Sequence, residues 1–215
     1  MYYAIHTPDL ARARTFYSAV FGWTFTEDGH IEGSSPAGGL GDGDPRVDLY
    51  LEVPDIAAAV GRLRELGGTS SDPAQGKSGW SCLAEDGRLG LWQPADGYSD
   101  DNPKCAEGDL FYYVVPVADE DVKARYAAVL GWELSPGSHQ NGWNIENTIP
   151  PGGLFVDHAG RPDVYFRVAD VEAAAARIRA AGGTAGDKQP NSAGWHATCL
   201  DDQGVEFSIG SLRAE

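Results

Sequence analysis

The sequence predicts an α+β fold made by duplicating strand–helix–strand units. Three observations carry that expectation. The stretch Asp48-Leu-Tyr-Leu-Glu-Val-Pro-Asp55 runs into a helical pattern that stops at Gly67-Gly68-Thr69, and Asp163-Val-Tyr-Phe-Arg-Val-Ala-Asp170 runs into one that stops at Gly182-Gly183-Thr184, 115 positions later. Other matches follow in the same order: Tyr17-Ser-Ala-Val-Phe-Gly22-Trp23 with Tyr126-Ala-Ala-Val-Leu-Gly-Trp132, Pro36–Leu40 with Pro150–Leu154, and Gly79-Trp80 with Gly194-Trp195. Finally, the strands alternate. Leu49, Leu51 and Val53 oppose Asp48, Tyr50 and Glu52, as Val164, Phe166 and Val168 oppose Asp163, Tyr165 and Arg167.

Taken in order, Tyr2–Thr7 alternates as a strand, and Leu10 to Trp23 reads as a helix entered at Pro8-Asp9 and stopped at Gly22. Residues 24–46 are rich in Gly and Asp and read as a small meander, with Gly38-Gly39 as turn glycines. The organising unit follows, then strands at Gly79–Ala84 and Arg88–Gln93 around the turn Glu85-Asp86-Gly87. Leu110 to Pro116 is a strand and Asp121 to Leu130 a helix in the second half. The expected domains are 1–94 and 109–215, joined by an aperiodic linker at 95–108. In the last strands, Leu89 and Leu91 oppose Gly90 and Trp92, and Val205, Phe207 and Ile209 oppose Glu206, Ser208 and Gly210. One face packs under helices. The other mixes aromatics, charge and glycine, which suits a concave, partly wet binding surface.

The bulk composition narrows the function. A net charge of −16 repels phosphate backbones and anionic lipid, so neither nucleic acid nor a membrane is an expected partner. Three cysteines without Cys-x-x-Cys spacing argue against a disulfide framework or zinc cluster, and for a reducing cytoplasm. No apolar run approaches the roughly 20 residues that span a bilayer. There is no Gly-x-Ser-x-Gly, phosphate loop or dinucleotide fingerprint.

The motifs Phe16-Tyr17-x-x-Val20-Phe-Gly22-Trp23, Val53-x-Asp55, Gly90-Leu-Trp92-Gln93, Gly194-Trp195-x-Ala197 and Asp201-Asp-Gln-Gly204 together resemble the vicinal oxygen chelate superfamily, the group of glyoxalase I, bleomycin-resistance proteins and extradiol dioxygenases. The resemblance implies tandem domains of paired βαβββ units that curl sheets into cups. Metal-dependent members hold a divalent ion there through His and Glu. At the matching positions this chain has Tyr2, Asp48 and Gly90, then Phe111, Asp163 and Ser208, so the usual metal site is not expected. A rearranged site from His6, Asp48 and Glu52 is the alternative. His30, His139 and His158 read as surface residues, and His196 stays open between cup and solvent.

The expected function is therefore metal-free binding of a small amphipathic, aromatic molecule, as in antibiotic-sequestering resistance proteins. Tyr2, His6, Asp48, Tyr50, Glu52, Trp92, Phe111, Tyr113, Asp163, Tyr165, Arg167 and Glu206 are the expected lining, with no cofactor. Asp163 and Arg167 read as a possible ion pair within one strand. The alternatives are a metal-independent isomerase, cyclase or lyase of the same fold and, further off, a metal-dependent glyoxalase or dioxygenase. Either a monomer with internal pseudo-symmetry or a homodimer fits the duplication.

Overall fold

The computed structural model describes residues 1–84, 87, 89–96, 105–156 and 160–213. Most of the turn at 85–87, His158 and the greater part of the expected linker lie outside the described residues. The first half forms β1 (Tyr2–Thr7), α1 (Leu10–Phe21), β2 (Ala37–Asp42), β3 (Arg46–Glu52), α2 (Ile56–Glu65), β4 (Ala74–Gly76), β5 (Gly79–Ala84) and β6 (Leu89–Pro94). The second half forms β7 (Leu110–Val117), α3 (Glu120–Leu130), β8 (Leu134–Pro136), β9 (Gly142–Ile145) and β10 (Gly152–Val156). It continues with β11 (Asp163–Arg167), α4 (Val171–Ala180), β12 (Thr184–Ala185), β13 (Gln189–Pro190), β14 (Gly194–Leu200) and β15 (Glu206–Leu212). The α+β class is thus observed. None of these helices is long and apolar enough to cross a membrane.

The four helices among the described residues all begin in the same way. Asp9, Asp55, Asp119 and Asp170 sit in extended backbone at the N-caps, and each accepts backbone N–H bonds from the first turn. The cap draws α3 one residue earlier than its periodicity suggests. Gly22 and Gly131 close α1 and α3 in the left-handed region, at φ 73° and 66°, where a Cβ is disfavoured.

Two compact units result, and each takes segments from both sequence halves. Unit 1 comprises Met1–Tyr2, Asp48–Asp101 and Tyr113–Pro162. Within it, the strands run in the order β3-β6-β5-β4, α2 lies against β6, and α2 packs on α3. Its other ribbon has β10 parallel to β7 and antiparallel to β9.

Unit 2 comprises Tyr3–Val47, Asn102–Tyr112 and Asp163–Glu215. Here β11 pairs with β15 and β15 with β14, while α1 packs on α4, with Arg177 Nε donating to the Val20 carbonyl at 2.9 Å. Its core is aromatic: Tyr3, Phe16, Tyr17, Trp23, Phe166 and Phe207 are buried, with Trp23 and Phe166 5.3 Å apart between centroids. The Asp201–Gly204 turn clamps α1. Tyr17 donates to Asp201 at 3.2 Å, Arg12 pairs with Asp202 at 2.8 Å, and Gln203 exchanges two bonds with the Asp9 backbone.

The strand faces follow the alternation. Leu49, Leu51, Val53, Val164, Phe166, Val168, Leu89, Leu91, Val205, Phe207 and Ile209 are all buried. The paired glycines do not. Gly38-Gly39 and Gly152-Gly153 lie inside strands β2 and β10, not in turns. A Cβ on Gly38 would stand 2.2 Å from Tyr3 Cζ, and one on Gly152 would stand 2.3 Å from Tyr113 Cζ. Each glycine makes room for a buried ring.

Candidate functional site

Residues paired across adjacent strands share a face, so the register writes out the open surface of each unit as rows. In unit 1, one row is Ser81–Trp92–Glu52 and the next Leu83–Gly90–Tyr50. Trp92 is only 3 % exposed and its indole N–H donates to the Ser78 carbonyl at 3.2 Å. Tyr2 lies 6.1 Å from Trp92 and 6.3 Å from Tyr50. Tyr50 lies over Gly90, where a Cβ would stand 2.1 Å from its Cδ1. The expectation that Trp92 offers a free ring to a ligand is corrected: neighbouring rings cover it and its N–H is already used.

The carboxylates of this face are engaged as well. Asp48 is buried and accepts from Arg161 Nη1 at 2.8 Å, while the guanidinium also reaches the Gly87 carbonyl. Glu52 is half exposed, 3.4 Å from the α-amino group of Met1.

In unit 2 the equivalent rows are His196–Gly210–Arg167 and Thr198–Ser208–Tyr165, with Leu200 and Glu206 paired beyond them. Tyr165 stands 5.6 Å from Tyr112 and 6.1 Å from His196, and both tyrosines are only partly covered. Phe111 rests its ring tip on Gly210, 2.7 Å from where a Cβ would be. Burial raises the Tyr165 phenol pKa, as do the Asp163 charge and Tyr112, and hydrogen bonding with Ser208 opposes them. Burial likewise raises Tyr112. Both phenols therefore remain neutral hydroxyls around neutral pH. His196 Nδ1 is buried and has no hydrogen-bond partner among the described residues.

The remaining expected residues are placed as follows. Arg167 donates to the Cys105 carbonyl. It stands four residues from Asp163 on the same strand, their Cα atoms about 13 Å apart at some 3.3 Å per residue. Glu206 and Asp163 are exposed at the far end of the face. His6 packs on Gly41, its Nδ1 3.4 Å from the Asp42 carbonyl. Tyr113 is corrected from lining to core: it is fully buried on Gly152 and donates to Thr148 at 3.1 Å.

Tyr112 and His196 are the face residues that the sequence reading did not assign. The two ring-over-glycine pairs show why Tyr112 was missed. Tyr3 matches Tyr113, 110 positions on, whereas the helix motifs match at 109, so Tyr112 and not Phe111 answers Tyr2. The doubled tyrosines Tyr2-Tyr3 and Tyr112-Tyr113 carry that signal in the sequence.

The metal that the resemblance brings to mind does not fit these residues. A carboxylate at Gly90 would collide with Tyr50, and Ser208 offers a hydroxyl engaged with Tyr165. Among the described residues, no three of His, Cys, Asp and Glu gather as metal ligands. Cys199 is no candidate either, its thiol pushed up to about 12 by burial.

Comparison with known proteins agrees with this architecture. The family model for the Glyoxalase/Bleomycin resistance protein/Dioxygenase superfamily matches residues 2–209. CFP32 of Mycobacterium bovis and Mycobacterium tuberculosis, provisionally named a glyoxylase, is 27% identical over 95% of this chain and 91% of its own. The 2,3-dioxygenase LapB from Pseudomonas sp. KL28 superposes with a TM-score of 0.68 at 14% identity, covering 98% of this chain and 90% of that one. Homoprotocatechuate 2,3-dioxygenase from Arthrobacter globiformis does so with 0.65 at 18%, covering 98% and 78%. The duplicated units, their open sheet faces and a family match across nearly the whole chain lead to one conclusion: this protein belongs to the glyoxalase/bleomycin resistance protein/dioxygenase superfamily.

Proposed function

We propose that this protein binds a small, amphipathic aromatic molecule without a metal ion, on the open face of unit 2, and acts by sequestering it. One observation carries the reading. Tyr112 and Tyr165 present partly covered rings beside Ser208 and His196, whose buried Nδ1 has no hydrogen-bond partner among the described residues. Rings supply stacking area, and the hydroxyls and imidazole supply the few directed polar contacts that fix orientation. The matching face of unit 1 is filled by its own rings, which leaves unit 2 as the stronger binding surface. Antibiotic sequestration is the physiological role we assign, and it needs only affinity and shape.

The test is calorimetric titration with a panel of planar aromatic compounds. Covering about 100 Å² of ring is worth about 2–3 kcal/mol at roughly 25 cal/mol per Å², before ordering costs. Tyr165→Leu should then weaken binding by about 1–3 kcal/mol, roughly 5- to 150-fold, with little change in melting temperature. Unchanged affinity in a folded variant would sink the assignment to this face. Chromatography of the same mixtures separates binder from enzyme: a recovered, unaltered ligand supports sequestration, and a product would replace it with catalysis.

A further inference from the structure

We infer that the compound held on unit 2 carries a carboxylate, received between His196 and Arg167; this rests on the reading above and names its ligand class. The two residues flank Gly210 in the same row of the open face. Three strands at about 4.8 Å spacing put their Cα atoms some 10 Å apart, a gap that an arginine and an imidazole can close onto one acid group. The Phe111 ring tip rests on Gly210, so a carboxylate lying on that ring would meet imidazole on one side and guanidinium on the other.

Each flanking group has capacity left. Arg167 spends Nη1 on the Cys105 carbonyl, and a guanidinium carries five N–H donors. His196 Nδ1 is buried with no partner among the described residues, the kind of polar atom that costs free energy until something bonds it. Asp109 lies near enough to Arg167 to feel its charge, but its own carboxyl is occupied by the backbone N–H groups of Ser35 and Ala106.

The rest of the face sets the orientation. Glu206 and Asp163 stand exposed two positions beyond Ser208 and Tyr165, and they would repel an acid group there. A carboxylate therefore points to the His196–Arg167 end, with its aryl ring along Tyr165 and Tyr112. The matched row of unit 1 has Ser81 and Glu52 in place of His196 and Arg167, so only unit 2 offers this recognition.

The experiment titrates the 215-residue protein with 2-naphthoate and its uncharged isostere 2-naphthamide. The carboxylate should bind at least about tenfold tighter, and the gap should shrink as sodium chloride rises from 50 to 500 mM. His196→Gln and Arg167→Met should each pull the ratio towards one, because each weakens the carboxylate more than the amide; a ratio that stays at its parent value in both folded variants overturns the inference. Thermal melts confirm folding, and if Arg167→Met unfolds, Arg167→Lys replaces it, keeping the charge but losing the fork. Equal affinity for both compounds in the parent protein overturns the acid-group inference and leaves aromatic binding standing. Failure of both compounds and of every neutral aromatic in the panel overturns aromatic binding itself, and the inference with it.

Discussion

The two open faces descend from one repeated pattern and have diverged row by row. In unit 1 the central positions are Trp92 and Gly90, and in unit 2 they are Gly210 and Ser208. Bulk and space have been exchanged. Trp92 fills the first face, with Tyr2 beside it and Tyr50 lying on Gly90. The second face keeps a glycine at its centre and borders it with a histidine, an arginine and two half-covered tyrosines. The same strand geometry thus serves packing in one copy and, in the function proposed above, recognition in the other, and the two copies differ at one central position of each last strand, Trp92 against Gly210.

Replacing the bulky residue should show the largest effect. Trp92→Ala removes a side chain that is 3 % exposed and an N–H that is bonded, and truncations of this kind cost about 3–5 kcal/mol. We expect a large drop in melting temperature and little change in ligand affinity. A variant that melts like the parent would mean that the ring is dispensable to packing, and the contrast between faces would collapse.

Changing the neighbouring pair is a finer probe. Gly90→Ser installs unit 2's residue in unit 1 and drives a Cβ into the Tyr50 ring, an overpacking that costs about 1–3 kcal/mol. At the matching position of unit 2, Ser208→Ala removes only a hydroxyl next to Tyr165 and should cost about 1 kcal/mol or less. Denaturant melts of the two variants should therefore differ clearly. Equal losses would show that Tyr50 can swing away and that the two faces are interchangeable.

The smallest effect concerns two buried carboxylates held in different ways. Asp48 in unit 1 has the guanidinium of Arg161, whereas Asp201 in unit 2 is bonded to the N–H groups of Gln203 and Val205 and to the Tyr17 hydroxyl. Burial raises the Asp201 pKa above the ordinary value of about 3.9, against the lowering pull of those bonds. A folded-state pKa above the unfolded one favours folding fully below about pH 4, and that advantage is lost as pH rises through the folded value. Asp201→Asn cannot ionise, so its stability relative to the parent should improve as pH rises from about 4 to 7. A flat difference across that range would show that Asp201 is not raised.

Much of this was legible before any coordinates. Period-two alternation assigned Leu49, Leu51 and Val53 to the buried side and Tyr50 to the open side, and four strands agreed. The four aspartate caps follow from local hydrogen-bonding chemistry and are plain in the sequence. Local patterns failed where a distant ring set the answer. Gly38 and Gly152 look like turn residues until Tyr3 and Tyr113 are seen to occupy their Cβ positions. Trp92 looked like a ligand platform because alternation identifies a face and says nothing of what covers that face. Tyr112 was displaced by one residue because the repeat spacing shifts from 109 to 110 between helix and strand.

By itself the sequence determined the duplication, the order of elements, the face of each strand and the mismatch with the usual metal ligands. All of these are read from spacing and residue type along the chain. Tertiary structure alone decided that segments of both halves combine in each compact unit, that Asp48 meets Arg161, and that one open face centres on a buried tryptophan while the other centres on a glycine under the Phe111 ring tip. The reason is physical: periodicity is a one-dimensional signal fixed by backbone geometry, whereas the occupancy of a surface depends on which rings arrive from strands far away in the chain.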